Sequence, residues 1–162
     1  MTVRFTILPS PIDDLMAVAE GDSLVGLMML PHPDPGSDWQ RADDDPILAE
    51  ARRQLVAYFA GERQDFDLPL APAGTAFQLQ VWAALREIPY GQTISYGELA
   101  RRIDNPQASR AVGLANGRNP ISVIIPCHRV IGADGSLTGY GGGLPRKQLL
   151  LALEIGVTAL PV

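Results

Sequence analysis

Hydrophobic positions open the chain in three short runs, Val3 to Leu8, Leu15 to Val18 and Leu24 to Leu30. Pro9-Ser10-Pro11 and Glu20-Gly21-Asp22-Ser23 separate them, and short apolar runs bounded by turn residues predict a small antiparallel sheet. Residues 31–45, rich in Pro and Asp, read as an exposed connection. Asp45 then offers an N-cap, Pro46 a first helical position and Gly61 a stop. Between them Ile47, Leu48, Leu55, Tyr58 and Phe59 supply a buried face. The pattern predicts a first α/β domain over residues 1–70, with Leu68-Pro69-Leu70-Ala71-Pro72 as a linker to a second domain over residues 74–162.

Past the linker the apolar period changes from that of strands to that of helices. Thr75-Ala76-Phe77-Gln78 fits a capping box, and Phe77, Val81, Trp82 and Leu85 follow at helical spacing. Pro89-Tyr90-Gly91 breaks that helix. Ser95-Tyr96-Gly97-Glu98 is a second capping box, leading into Leu99, Ala100 and Ile103. Asn105-Pro106 is predicted to start a third helix, through Ala108, Ala111, Val112 and Ala115 to Gly117. Two short helices joined by a tight turn suit a helix-turn-helix, although paired helices are also common packing units. Pro145 starts a last helix, in which Leu149, Leu150 and Leu153 are expected to pack and Glu154 lies near the C-terminus. The fold class is therefore α+β: a small sheet with a helix, then a mostly helical part.

Composition narrows the function classes. Hydrophobic residues make up 46% of 162 and charged residues 19%, which excludes wholesale disorder. One cysteine, Cys127, rules out an intrachain disulfide, and with only His32 and His128 beside it no Cys-rich zinc site can be assembled. No signal-peptide pattern opens the chain and no run approaches ~18 apolar residues, so a soluble, cytoplasmic protein with no membrane partner is expected. The net charge of −5 argues at first against a polyanion. Residues 1–70, however, carry five Arg against thirteen acids, while residues 71–162 carry seven Arg and one Lys against five acids. The acidity belongs to the first half, and the second half is mildly basic.

The lone cysteine lies in an apolar stretch, Ile121-Ser122-Val123-Ile124-Ile125-Pro126-Cys127-His128-Arg129-Val130-Ile131. A buried single Cys is usually an inert small hydrophobe. Placing His128 and Arg129 in such a run is costly unless they have partners, and an imidazole that takes a proton would favour the nucleophilic thiolate. Four glycines then flank Tyr140, leaving backbone accessible to something flat or forming a flexible loop. Glu154 at the end of its helix opposes the helix dipole, which suggests another task, such as orienting an imidazole.

Six segments together resemble the O6-alkylguanine-DNA alkyltransferases: Ile88-Pro89-Tyr90-Gly91, Ser95-Tyr96-Gly97, Ser109-Arg110-Ala111-Val112-Gly113, Asn119-Pro120, Pro126-Cys127-His128-Arg129-Val130 and Gly139-Tyr140-Gly141-Gly142-Gly143. The likeness covers roughly residues 74–155 in order, and residues 1–70 resemble more weakly the family's variable, ribonuclease-H-like N-terminal domain. It implies direct-reversal repair of duplex DNA containing O6-alkylguanine, and of O4-alkylthymine, by single-turnover transfer of the alkyl group to Cys127. The helix-turn-helix would enter the minor groove and the damaged base would be flipped out, at a cost of about a few kcal/mol.

The same resemblance implies residue roles. The catalytic set is Cys127 as alkyl acceptor, His128 oriented by Glu154 as proton acceptor through a water, Tyr140 as donor to the guanine ring, and Asn119 tying the recognition helix to the cysteine turn. Arg129 braces that turn. DNA contacts fall to Tyr96, which presses on the adjacent phosphate, to Arg110, the finger filling the vacated stack, and to Ala108, Ser109, Ala111, Gly113 and Asn116. The Gly141 N–H would meet O6, and backbone carbonyls near Cys127 and Val130 would accept from the exocyclic amine. No cofactor and no metal are implied, and a monomer is expected, with cooperative binding along DNA left open. Three other readings compete: a damage sensor without alkyl transfer, which would lack the cysteine; a plain DNA-binding regulator, which has no use for Cys127, His128 and Glu154 together; and a Cys–His hydrolase, which would turn over.

Overall fold

The computed structural model describes residues 2–29, 34–137, 140 and 143–156. Strands β1 (Val3–Leu8), β2 (Leu15–Glu20) and β3 (Ser23–Met29) form an antiparallel meander, with Gly21 at φ 59° in the β2–β3 turn. A fourth strand, β4 (Gln40–Arg41), adds to β1 in parallel, so the sheet order is β3-β2-β1-β4 and the sheet is mixed. The Pro- and Asp-rich connection thus contributes a strand that its composition conceals. Its two residues are exposed and polar, and only the long-range pairing with β1 identifies them.

Helix α1 (Pro46–Phe59) packs on this sheet and buries Leu48, Ala51, Gln54, Leu55, Tyr58 and Phe59. Asp45 caps it, accepting from the N–H groups of Ile47 and Leu48, and its carboxylate also meets Arg4 Nε at 2.6 Å. Beyond the helix Gly61 takes φ 77°, a conformation glycine adopts without penalty. Residues 69–71 do not hang free as a linker. Leu24 donates to the Pro69 carbonyl at 2.8 Å and accepts from Ala71 N at 2.9 Å, so this segment runs along the exposed edge of β3. Further along the same edge, Leu27 donates to Pro120 O at 2.9 Å and accepts from Ser122 N at 3.1 Å. Edge strands carry an unpaired row of donors and acceptors, and here later parts of the chain satisfy it.

Helix α2 (Ala76–Leu85) begins with the full capping box of Thr75 and Gln78. Helix α3 (Tyr96–Arg102) is capped by the Ser95 hydroxyl, which accepts from Glu98 N, while the Glu98 carboxylate faces Arg101 and Arg102. Helix α4 spans Ser109–Gly117 and starts three residues later than its sequence suggests. Asp104 at φ 58° and the Ala108 N–H to Asn105 O bond make residues 104–108 the turn between the two helices. Pro106 occupies the second position of the Asn105–Ala108 turn rather than opening the next helix. Trp82 binds α2 to α4 through Nε1, which donates to Ala115 O at 2.8 Å in the core. Two-residue strands β5 (Ile94–Ser95) and β6 (Val130–Ile131) pair in parallel and join the entrance of α3 to the segment after Cys127.

Helix α5 (Leu144–Glu154) buries Lys147, Leu150, Leu153 and Glu154, whereas Leu149, expected in the core, is exposed. The buried stripe keeps helical period but includes two charged residues. Among the described residues, no helix is long and apolar enough to cross a membrane, and no cluster of three or more His, Cys, Asp or Glu side chains could hold a metal ion.

Candidate active site

The turn before Cys127 is built against backbone preference. Val123 sits at φ 70°, which a β-branched residue rarely adopts, and it is buried. Asn119 holds the turn: Nδ2 donates to Ile125 O at 2.7 Å and more weakly to Ile121 O at 3.4 Å, while Oδ1 accepts from Ile121 N at 3.0 Å. Cys127, His128 and Arg129 then form one 3₁₀ turn. At three residues per turn their side chains fan out in different directions, so sequence adjacency alone does not bring the thiol and the imidazole together.

Glu154, at the end of α5, gathers the other two. His128 Nε2 lies 2.7 Å from Oε2; an ionised carboxylate only accepts, so Nε2 carries the hydrogen and Nδ1 is left as the acceptor. Arg129 donates through Nε to Oε1 at 2.7 Å and through Nη2 to Oε2 at 3.0 Å, and its Nη1 donates to Ile88 O at 2.6 Å. The guanidinium also lies 5.7 Å from the centre of the Tyr90 ring. Gly91 approaches the same corner. It takes φ 80°, its N–H reaches Glu154 Oε1 at 3.4 Å, and a Cβ there would come within 3.1 Å of the Glu154 carbonyl. The break that Pro89-Tyr90-Gly91 marks in the sequence is therefore also the wall behind Glu154.

These contacts set the charges. Burial opposes ionisation of Glu154, but the hydrogen bonds and charges of His128 and Arg129 hold its carboxyl far below the usual carboxylate range. Burial pushes His128 below its ordinary value despite Glu154, so the imidazole rests neutral. Burial likewise pushes the Cys127 thiol up, opposed by the Asn119 amide and the Lys147 charge. Tyr140 is raised well above its ordinary value by burial and by the neighbouring Cys127, so its hydroxyl keeps its proton and can donate. Among the described residues the buried side-chain atoms without a hydrogen-bond partner are Asn116 Oδ1, His128 Nδ1 and the Tyr140 hydroxyl.

Other expected positions fall differently. Asn116, expected on the DNA-facing side, is 1% exposed and donates through Nδ2 to Cys127 O at 3.3 Å. It lies one turn beyond Val112 on the buried face of α4, which turns it inward as a tie to the cysteine turn. The Val130 carbonyl, expected to face a substrate amine, accepts from Lys147 Nζ at 2.6 Å. Gly141 lies outside the described residues, as does His32. On the outer side of the helix pair, Arg110 and Ala111 are exposed, whereas Tyr96, Ala108, Ser109 and Gly113 are half-buried. A Cβ on Gly113 would meet the Tyr96 ring at 3.7 Å, an ordinary contact, so Gly113 marks where α4 rests on Tyr96. Leu114, 68% exposed and one turn after Arg110, lies on the same face, a position the residue pattern does not single out. The i, i+4 spacing from Arg110 was the signal that could have found it.

Residues 76–156 match the model of the 6-O-methylguanine DNA methyltransferase DNA-binding domain, and residues 3–72 match that of its ribonuclease-like domain. The chain belongs to the 6-O-methylguanine DNA methyltransferase family. A methylated-DNA–protein-cysteine methyltransferase of Methanosarcina acetivorans is 51% identical over 156 residues, covering 93% of this chain and 97% of that protein. One of Mycobacterium tuberculosis H37Rv is 51% identical over 152 residues, covering 94% and 92%. The crystal structure of the M. tuberculosis O6-methylguanine methyltransferase superposes with a TM-score of 0.87 at 50% identity, covering 99% of this chain and 96% of that one. A structure of M. tuberculosis OGT in complex with DNA gives 0.86 at 51% identity, covering 96% and 93%. In this family of DNA-repair methyltransferases the acceptor is a protein cysteine, as the relatives' names state, and this chain has one cysteine.

Proposed function

We propose that this chain repairs duplex DNA by transferring the alkyl group of O6-alkylguanine, and of O4-alkylthymine, to Cys127 once per molecule. The carrying observation is the neutral, buried His128, held by Glu154 through Nε2 and left with Nδ1 unpartnered beside Cys127 in the chain. A buried acceptor of that kind calls for a functional partner, and His128 Nδ1 takes the thiol proton through a water. The S–C bond forms as the C–O6 bond breaks, with the electron pair leaving on guanine. Guanine receives the proton that balances the one lost by the thiol, and Tyr140 supplies a hydrogen bond to the ring. The oxygen-to-sulfur displacement ends in a thioether, which water does not readily hydrolyse, so the protein is consumed.

The exposed outer face of α4, with Arg110, Ala111 and Leu114, supports minor-groove binding. Small side chains admit close approach there, and apolar and arginine side chains serve a kinked, unstacked step. Arg110 fills the space of the flipped guanine, Tyr96 presses on the neighbouring phosphate, and a monomer suffices. Incubation with duplex DNA containing O6-methylguanine, followed by mass measurement of the intact protein, tests this. The protein should gain ~14 Da, one methylene at a thiolate nucleophile, at no more than one per chain. Absence of the gain, or a gain that survives Cys127→Ser, refutes it.

A further inference from the structure

We infer that Tyr58, on α1 of the N-terminal half, is a positioning residue for alkyl transfer: its hydroxyl fixes the Glu154 carboxylate that orients His128. The inference rests on the proposed roles of His128 and Glu154. Tyr58 OH donates to Glu154 Oε2 at 2.5 Å, across 96 positions of sequence, and Tyr58 is fully buried. The oxygen it binds is the one that receives His128 Nε2 at 2.7 Å. Arg129 Nη2 reaches that oxygen as well, at 3.0 Å.

The three donors do different things. Arg129 grips both oxygens and sets the plane of the carboxylate. His128 is the group being oriented. Among the described residues Tyr58 is the remaining donor to Oε2, and it approaches from a separate element of the fold. Its ring cannot drift: Phe59 stands edge-on at 5.3 Å, Phe66 lies at 5.3 Å, and Tyr90 stands edge-on at 6.1 Å. Burial, with the Glu154 charge and its hydrogen bond, keeps the Tyr58 hydroxyl protonated far above any working pH, so it remains a donor throughout. A second-layer donor held this rigidly fixes the ring orientation and tautomer of the imidazole it serves indirectly. The N-terminal half thereby enters the chemistry without touching substrate.

Tyr58→Phe removes the hydroxyl and keeps the ring, and two readouts separate positioning from mere packing. The single-turnover rate constant for methyl transfer at saturating duplex should fall about five- to tenfold, while the dissociation constant for undamaged duplex stays unchanged. Nitrogen-15 spectra report the histidine tautomer, and with only His32 and His128 in the chain the first serves as internal reference. Wild-type protein should show His128 as a neutral Nε2–H tautomer, and Tyr58→Phe should draw its two nitrogen shifts towards each other. Leu55→Val, one turn earlier on α1 and buried, is the control that lowers stability without moving rate or shifts. Wild-type rate and shifts in Tyr58→Phe overturn the inference. So does a rate loss matched by Leu55→Val with the shifts unmoved. The underlying reading fails separately: His128→Gln at the wild-type rate removes His128 from the mechanism, whereas a slow His128→Gln beside a normal Tyr58→Phe removes Tyr58 alone.

Discussion

Replacing Glu154 by Gln removes one negative charge and keeps the shape of the side chain. The wild-type carboxylate accepts from His128, from Tyr58 and twice from Arg129, and its side chain is 1% exposed. In the variant, the Arg129 guanidinium keeps the Ile88 carbonyl and the Tyr90 ring but loses its counter-charge in a site where its side chain is only 8% exposed. Leaving one partner of a buried pair uncompensated costs about 3–5 kcal/mol. For a chain of this size each kcal/mol lowers Tm by ~2–4 °C, so the expected drop is roughly 6–20 °C. Urea unfolding at pH 7 measures the loss directly. The pH dependence has a definite sign: the folded-state carboxyl lies below its unfolded value, so its contribution is complete above the unfolded value of about 4.3 and is lost as pH falls below it. The gap between wild type and variant should therefore be flat above about pH 5 and close under acid. Adding Arg129→Met should cost less than the two single losses summed, by about 1–3 kcal/mol, because the orphaned charge goes too. A Glu154→Gln variant within ~1 kcal/mol of wild type at pH 7 would show that Glu154 is not the keystone of this corner.

Two narrower predictions follow from the same geometry. Arg110 is exposed, so Arg110→Ala should leave stability within about 0.5 kcal/mol yet slow repair of O6-methylguanine in duplex DNA by about tenfold or more, ~1.4 kcal/mol of barrier, with reaction with free O6-benzylguanine unchanged; equal losses on both substrates refute the finger role. Gly91→Ala should cost about 1–2 kcal/mol for the left-handed backbone alone and slow transfer as well, since the new Cβ pushes on the Glu154 carbonyl; unfolding curves and single-turnover rates together check both halves.

What the sequence revealed and what it hid divides by range. Asp45, Pro46 and Gly61 delimit α1 through local backbone chemistry, and Thr75 with Gln78 does the same for α2. Such signals act within one turn of the chain and can be read in order. The β4 pairing, the Asn116 tie and the buried Lys147 depend on what arrives from elsewhere. Tyr58 is the sharpest instance. Its helical period correctly puts it on the buried face of α1, but a core tyrosine and one that grips a carboxylate 96 positions away have the same local pattern. The place of Glu154 at its helix end suggests that it orients an imidazole, and it does meet His128, while its two bonds to Arg129 and the fan of the 3₁₀ turn that makes them possible are properties of three dimensions.

The pairing of Leu27 with residues 120–122 has a consequence for a chain still on the ribosome. The N-terminal meander emerges first, and at about 5–20 residues per second its outer strand waits on the order of 5–20 s before that segment is even synthesised. During that interval Leu27, fully buried at the end, lies on an open edge of the kind that templates association between chains, whereas Leu24 pairs sooner, once residues 69–71 have emerged. The acidic charge concentrated in residues 1–70 gives each nascent chain a like-charged neighbour to repel over the same interval. The charge that bears on partners in the finished protein bears, during synthesis, on how nascent chains meet while the sheet is still open.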